Sequence, residues 1–209
     1  MAAKNRAKKT SQKPAAQKLR IIGGTWRSRV LDFPDTEGLR PTGARIRETL
    51  FNWLNDALPG ADCLDLCSGS GALGFEALSR GAKSAILVDN NAEIVAKLRE
   101  NANKLNAPGC TIIHQRAQDY LKQVSANKFD IVFIDPPFSL NLWPDLFSGL
   151  ESNRWLNNPA YIYVETPRDC AIHPPPSWSI DKEKVAGNIC YRLLYSNEAK
   201  IRSPSTGEQ

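Results

Sequence analysis

The sequence predicts an α/β fold: a mostly parallel seven-stranded sheet covered by helices, closed by a reversed C-terminal hairpin and preceded by a small N-terminal β-hairpin. Three observations predict it. Between residues 62 and 164, short apolar runs of strand length alternate with helical apolar spacing, the pattern of parallel strands joined by crossover helices. The stretch Cys63-Leu64-Asp65-Leu66-Cys67-Ser68-Gly69-Ser70-Gly71 joins one buried strand to a helix through a glycine turn. Residues 179–185 and 189–195, linked through Gly187-Asn188, read as an antiparallel pair.

Residues 1–18 carry Lys4, Arg6, Lys8, Lys9, Lys13 and Lys18, and no acid precedes Asp32. Like charges repel and nothing apolar is there to bury, so a disordered basic tail is expected. It is either a solvated end or an arm that grips phosphates. Residues 19–40 are expected as the hairpin extension, with strands at 19–22 and 29–33 around Gly23-Gly24. Arg20, Trp26, Arg27 and Arg29 place an aromatic ring and three cations on this element, suited to stacking on bases and neutralising phosphates. The alternative is a hairpin that packs on the main domain with Trp26 as its anchor.

The main domain is expected over 41–202, followed by a disordered tail at 203–209. Ile46, Leu50, Leu54 and Leu58 recur at every fourth position, the buried stripe of a helix ending near Pro59-Gly60. Arg45 and Arg47 in its first turns oppose the helix dipole, so they are expected to serve a ligand. With Arg40 and Thr42 of the preceding loop they extend the expected RNA-binding set. A helix with Leu73, Ala77 and Leu78 follows the glycine turn and ends at Arg80-Gly81. The strand 85–88 leads into Asp89, and a helix over 92–105 buries Ile94, Leu98, Ala102 and Leu105. The strand 110–114 precedes a short helix that starts near Ala117 and buries Leu121 and Val124. The strand 129–134 runs into Asp135, a helix covers 144–150, and 160–164 is the next strand.

A length of 209 residues suits one well-buried domain with a small appendage. The net charge of +5 and pI of about 9.0 favour an anionic partner, nucleic acid first. No apolar run approaches the roughly 18 residues that span a membrane, and no signal-peptide core is visible. Five irregularly spaced cysteines point to buried reduced thiols in a reducing, cytoplasmic compartment, and no metal site is expected.

The chemistry collects at strand ends, where ligands bind in open α/β sheets. Gly69, Gly71 and Gly74 satisfy G-x-G-x-x-G, which alone would suit a dinucleotide. Asp65, four residues before the first glycine, would repel a pyrophosphate but suits a cationic amino group. S-adenosylmethionine carries an ammonium and a sulfonium and no phosphate. Asp89, twenty residues past Gly69, is placed to accept both ribose hydroxyls. Cys67, Ser70 and Asn90 flank these positions and belong to the same expected set, and Ala117-Gln118 is the neighbour of the adenine ring. Asp135-Pro136-Pro137-Phe138 resembles the signature of enzymes that methylate nitrogen in planar amide-like systems. An exocyclic amine has its lone pair delocalised into the ring. Asp135 can accept one N–H and the Pro136 carbonyl the other, while the two prolines stiffen the turn and Phe138 stacks on an extruded base.

Four stretches resemble the RsmD-type bacterial 16S ribosomal RNA guanine-N2 methyltransferases. They are Arg20-Ile21-Ile22-Gly23-Gly24-Thr25-Trp26-Arg27, Leu39-Arg40-Pro41-Thr42 with the helix 45–54, Asp65 to Gly71, and Asp135 to Phe138. The turn Lys184-Val185-Ala186-Gly187 is similar too, so the match runs from about Leu19 to Tyr195. The resemblance implies a Rossmann-like, cytoplasmic, S-adenosylmethionine-dependent enzyme, expected as a monomer. Its substrate in the family is guanine 966 of 16S RNA, on assembled small-subunit particles. The family's motif puts Asp65, Gly69 and Gly71 at the methionine end, Asp89 at the ribose and Asp135 to Phe138 at the base. Ala44 departs from the pattern, which commonly has an acid there, so a local contact to Arg45 or to the loop backbone is expected to be missing. An N6-adenine or glutamine-amide methyltransferase shares the tetrapeptide, and a non-catalytic RNA-binding assembly factor is the reading from another class.

Overall fold

Residues 17–36, 42–124 and 127–197 are described by a computed structural model of the protein. Arg40, most of the basic tail and the C-terminal tail fall outside the described residues. Seven strands form the main sheet: β3 (Asp62–Leu66), β4 (Ser84–Asp89), β5 (Cys110–His114), β6 (Phe129–Ile134), β7 (Leu156–Pro167), β8 (Trp178–Ala186) and β9 (Ile189–Ser196). Their spatial order is β5-β4-β3-β6-β7-β9-β8. The first five are parallel, and β9 runs antiparallel between β7 and β8. Because β4 and β6 leave the first strand of the sheet in opposite directions, a crevice opens at the carboxyl ends of β3 and β6.

The central strands are apolar on both faces because both are covered. One face packs on α1 (Ala44–Trp53), α2 (Ala72–Ser79) and α3 (Ala92–Leu105), through Leu50, Phe75 and Leu98 among others. The other packs on α4 (Ala117–Tyr120) and α5 (Trp143–Ser152), through Tyr120, Leu146 and Phe147. The N-terminal hairpin, β1 (Gln17–Arg20) paired antiparallel with β2 (Val30–Phe33), joins the first of these layers.

The structure adjusts four local expectations. β1 starts at Gln17, two residues inside the stretch read as tail, because Gln17 and Lys18 pair with Phe33 and Asp32. Helix α1 stops at Trp53, and Leu54 and Leu58 reach the core through tight turns instead of a continuing helix. Val124 is 72% exposed, not buried. The chain turns away after Leu121, whose carbonyl accepts from Asn153 Nδ2 and Trp155 Nε1. Ala102 is only partly buried at the rim of the core.

The hairpin's turn is fastened to the far end of α2. Thr25 N–H donates to the Ser79 carbonyl, Trp26 N–H to Ser79 Oγ, and Ser79 Oγ to the Gly23 carbonyl. Gly24 has φ +73°, and a Cβ there would lie 1.7 Å from the Ser79 carbonyl oxygen, so only glycine fits. Glu76, fully buried in α2, accepts from Ile22 N–H, Gly23 N–H, Arg47 and Arg80.

Candidate active site

Asp65 is the last residue but one of β3 and points to the α2 face of the sheet. It is 2% exposed, and its Oδ2 accepts from Gly74 N–H at 2.9 Å. Burial, opposed by that bond and reinforced by Asp89, pushes its carboxyl up to about 7. A cationic group bound beside it would return it to the ionised form. The turn that follows is tight: Cys67, Gly69 and Gly71 all have positive φ, and Gly71 is the left-handed residue that starts α2. Cys67 sits among Asp89, Asp65 and Asp135, and burial with these charges pushes its thiol up to about 12. At neutral pH it is a neutral wall of the site and no nucleophile. Ser70, like Gly71, is buried in the turn.

Asp89 ends β4 with its carboxylate held from both sides. Oδ2 accepts from Gly69 N–H and Oδ1 from Asn91 N–H, each at 2.9 Å. Burial raises its pKa and these backbone bonds oppose the rise. The glycine turn and the start of α3 are therefore tied together by one side chain. Asn90 is exposed beside it, and its carbonyl lies 3.1 Å from His114 Nε2. Ala117 and Gln118 open α4 after β5, the latter half-buried, at the same edge of the sheet.

Asp135 follows β6 directly and is half-buried. Thr42 Oγ1 donates to its Oδ2 at 3.2 Å, which brings the loop before α1 onto the Asp135 turn. Burial and the neighbouring Glu165 carboxylate hold the Asp135 pKa well above the usual carboxylate range. Pro136 is buried, and among the described residues no donor meets its carbonyl. Pro137 leads into a 3-10 turn at Phe138–Leu140. The Phe138 ring is 37% exposed and lies tilted against Trp143, with centroids 6.0 Å apart. Thus Asp65, Cys67, Gly69, Ser70, Gly71, Asp89 and Asp135 to Phe138 converge on one crevice.

The arginines do not all follow them. Arg47 was expected on RNA but is 3% exposed: Nε donates to the Thr42 carbonyl, Nη1 to Glu76 Oε2 and Nη2 to the Arg20 carbonyl. All three groups of its fork are used internally, so its role is to lock loop, hairpin and α2 together. Trp26 is half-buried against the core, which makes it an anchor as well as an aromatic surface. With Arg27 it sits at the C-terminal end of α2, about 12 Å of helix away from the glycine turn at the other end. Arg29 is exposed near the end of α3, where its Nη1 donates to the Lys104 carbonyl. Arg20 is exposed and donates to the Ser28 carbonyl. Arg45 is exposed at the start of α1, close to Thr42, and among the described residues it makes no ion pair. Helix α1 has no side-chain cap because its N-cap residue, Gly43, carries no side chain.

Glu165 was missed. It ends the apolar run of β7 as Asp65, Asp89 and Asp135 end theirs, but the strand was read only to Val164. It is 2% exposed and accepts from Tyr163 Oη at 2.7 Å, and its charge helps to raise the Asp135 pKa.

The family described as Conserved hypothetical protein 95 matches residues 19–195, a span that includes the hairpin, the glycine turn and the Asp135 turn. Ribosomal RNA small subunit methyltransferase D of Escherichia coli K12 is 45% identical over 186 residues, covering 88% of this chain and 93% of that protein. The chain belongs to this methyltransferase D family. The Haemophilus influenzae protein of the same name is 44% identical over 193 residues, covering 91% of this chain and all of that one. Among solved structures, the candidate methyltransferase yhhF from Escherichia coli superposes with a TM-score of 0.82 at 41% identity, covering 87% of this chain and 99% of that one. The candidate methylase HI0767 from Haemophilus influenzae does so with a TM-score of 0.77 at 39% identity, covering 87% and all of the two chains. The family span starts at Leu19, inside β1, so the hairpin and its Glu76 anchor belong to the family's unit.

Proposed function

We propose that the chain transfers a methyl group from S-adenosylmethionine to the exocyclic N2 amine of a guanine in small-subunit ribosomal RNA. The position is guanine 966 of the family, on assembled small-subunit particles. The observation that carries the reading is the Asp135 turn: a half-buried carboxylate, a Pro136 carbonyl that no donor among the described residues meets, and an exposed Phe138 ring, at the strand ends that also carry Asp65 and Asp89. The donor set fits the cofactor. Two buried carboxylates suit an ammonium and a ribose and would repel a phosphate. When bound, S-adenosylmethionine supplies an electrophilic methyl group. Asp65 and the Gly69–Gly71 turn hold its methionine end, Asp89 its ribose, and Ala117 and Gln118 its adenine.

The residues at the base then have separable tasks. Asp135 accepts one amine N–H and the Pro136 carbonyl the other, which draws the lone pair out of the ring and aims it. Phe138 stacks on the extruded base. The rate gain comes from orientation and from dipoles already in place. Digestion of the methylated RNA to nucleosides tests the reading: N2-methylguanosine is expected, and N6-methyladenosine in its place, or no methylated nucleoside at all, would overturn it.

Two further outcomes follow from the same placement. Asp89→Ala is expected to weaken S-adenosylmethionine binding at least ~10-fold, since each charge-assisted hydrogen bond contributes roughly 1.5–3 kcal/mol. It also frees Gly69 N–H, which Asp89 now holds. Calorimetry on the folded variant reads it, and an unchanged affinity would remove Asp89 from the cofactor site. Deleting residues 1–16, which carry Lys4, Arg6, Lys8, Lys9 and Lys13 and leave β1 whole, is expected to flatten the dependence of RNA affinity on salt. An unaltered slope would leave the segment as solvated chain.

A further inference from the structure

We propose that Glu165, acting with the Thr42 hydroxyl, is the positioning residue that aims Asp135 at the target amine and governs the proton Asp135 carries. The inference rests on the assignment of Asp135 above and deepens it. The placement follows from register. Ile134 and Val164 are partners on the parallel strands β6 and β7, so Asp135 and Glu165 are the next pair along. Ile134 and Val164 both belong to the layer under α4 and α5, and Phe133 and Tyr163 both to the layer under α1. Alternation therefore turns Asp135 and Glu165 to the same side, toward the loop that carries Thr42.

There Thr42 Oγ1 donates to Asp135 Oδ2 at 3.2 Å, and the same hydroxyl opposes the rise that burial imposes on both carboxyls. Asp135 is then left with Oδ1 for the amine. Glu165 is fixed from its own side by Tyr163 Oη at 2.7 Å and by Trp143 Nε1, which donates to its backbone carbonyl at 2.9 Å.

The other groups facing the pair are Asp65 from β3, Cys67 from the glycine turn and Tyr191, the β9 partner of Glu165. Arg47 lies behind Thr42 but is committed to Glu76 and to two carbonyls. No cation among the described residues pairs with either carboxyl, and both pKa values are raised by burial. The charge on Glu165 therefore falls on Asp135 without a compensating partner.

The test is the pH dependence of single-turnover methyl transfer, with saturating S-adenosylmethionine prebound so that its ammonium keeps Asp65 ionised. The rate is expected to rise with pH as Asp135 ionises. Glu165→Gln keeps an acceptor for Tyr163 and a donor for Thr42 but removes the charge. It is expected to move the acid limb down by about one pH unit or more. Thr42→Val removes a donor to the Asp135 carboxylate and is expected to move the limb up. S-adenosylmethionine affinity should hold in both variants. A limb that stays in place in folded protein would reduce Glu165 to structural support and overturn the inference. If Glu165→Gln does not fold, the Thr42→Val profile decides alone. A fully active Asp135→Ala would instead overturn the assignment of Asp135 itself, so the two failures are distinguishable.

Discussion

Asp135→Ala is expected to lower methyl transfer by at least ~10²-fold while fold and S-adenosylmethionine binding persist. Asp135, bonded to Thr42, is assigned to the base, whereas Asp65 and Asp89, bonded to Gly74 of α2 and Gly69 of the glycine turn, are assigned to the cofactor. Asp135→Asn is the finer probe. An amide oxygen still accepts an N–H, so Asn is expected to retain more activity than Ala. If Asp135 had to remove a proton as a general base, the two variants would be equally inactive. Near-normal transfer by Asp135→Ala would sink the assignment.

The second large effect is on stability. Glu76→Ala is expected to cost about 3–5 kcal/mol, because it leaves the buried Arg47 guanidinium without its counter-charge. Glu76 also accepts the N–H groups of Ile22 and Gly23 and pairs with Arg80 at 2.8 Å. One carboxylate thus binds hairpin, α1 and α2 into a unit. Denaturant unfolding measures the loss. A variant as stable as the parent would mean that the hairpin is held by its apolar contacts alone.

This network explains what the sequence left hidden. Arg45 and Arg47 look alike in a helix's first turns, yet one is exposed and the other locked by Glu76, 29 residues away in a helix read for its apolar stripe. Burial of a charge depends on which elements meet, and spacing along the chain does not encode that. Trp26 is similar: its role follows from Gly24 lying against Ser79, a contact between segments 55 residues apart. The strand ends were legible because a buried parallel strand ending in an acid needs no tertiary information to recognise. Asp65, Asp89 and Asp135 all carry that pattern. Glu165 carries it too, but the apolar run stops at Val164 while β7 continues to Pro167, so the acid lies within the strand and beyond the run that marks it.

The most direct measurement is nucleoside mass spectrometry of small-subunit RNA from cells lacking the gene, complemented either by the parent chain or by Asp135→Ala. The account predicts that N2-methylguanosine falls by one group per particle on deletion, returns with the parent chain and does not return with Asp135→Ala. An unchanged N2-methylguanosine content on deletion, with or without loss of another methylated nucleoside, would contradict it.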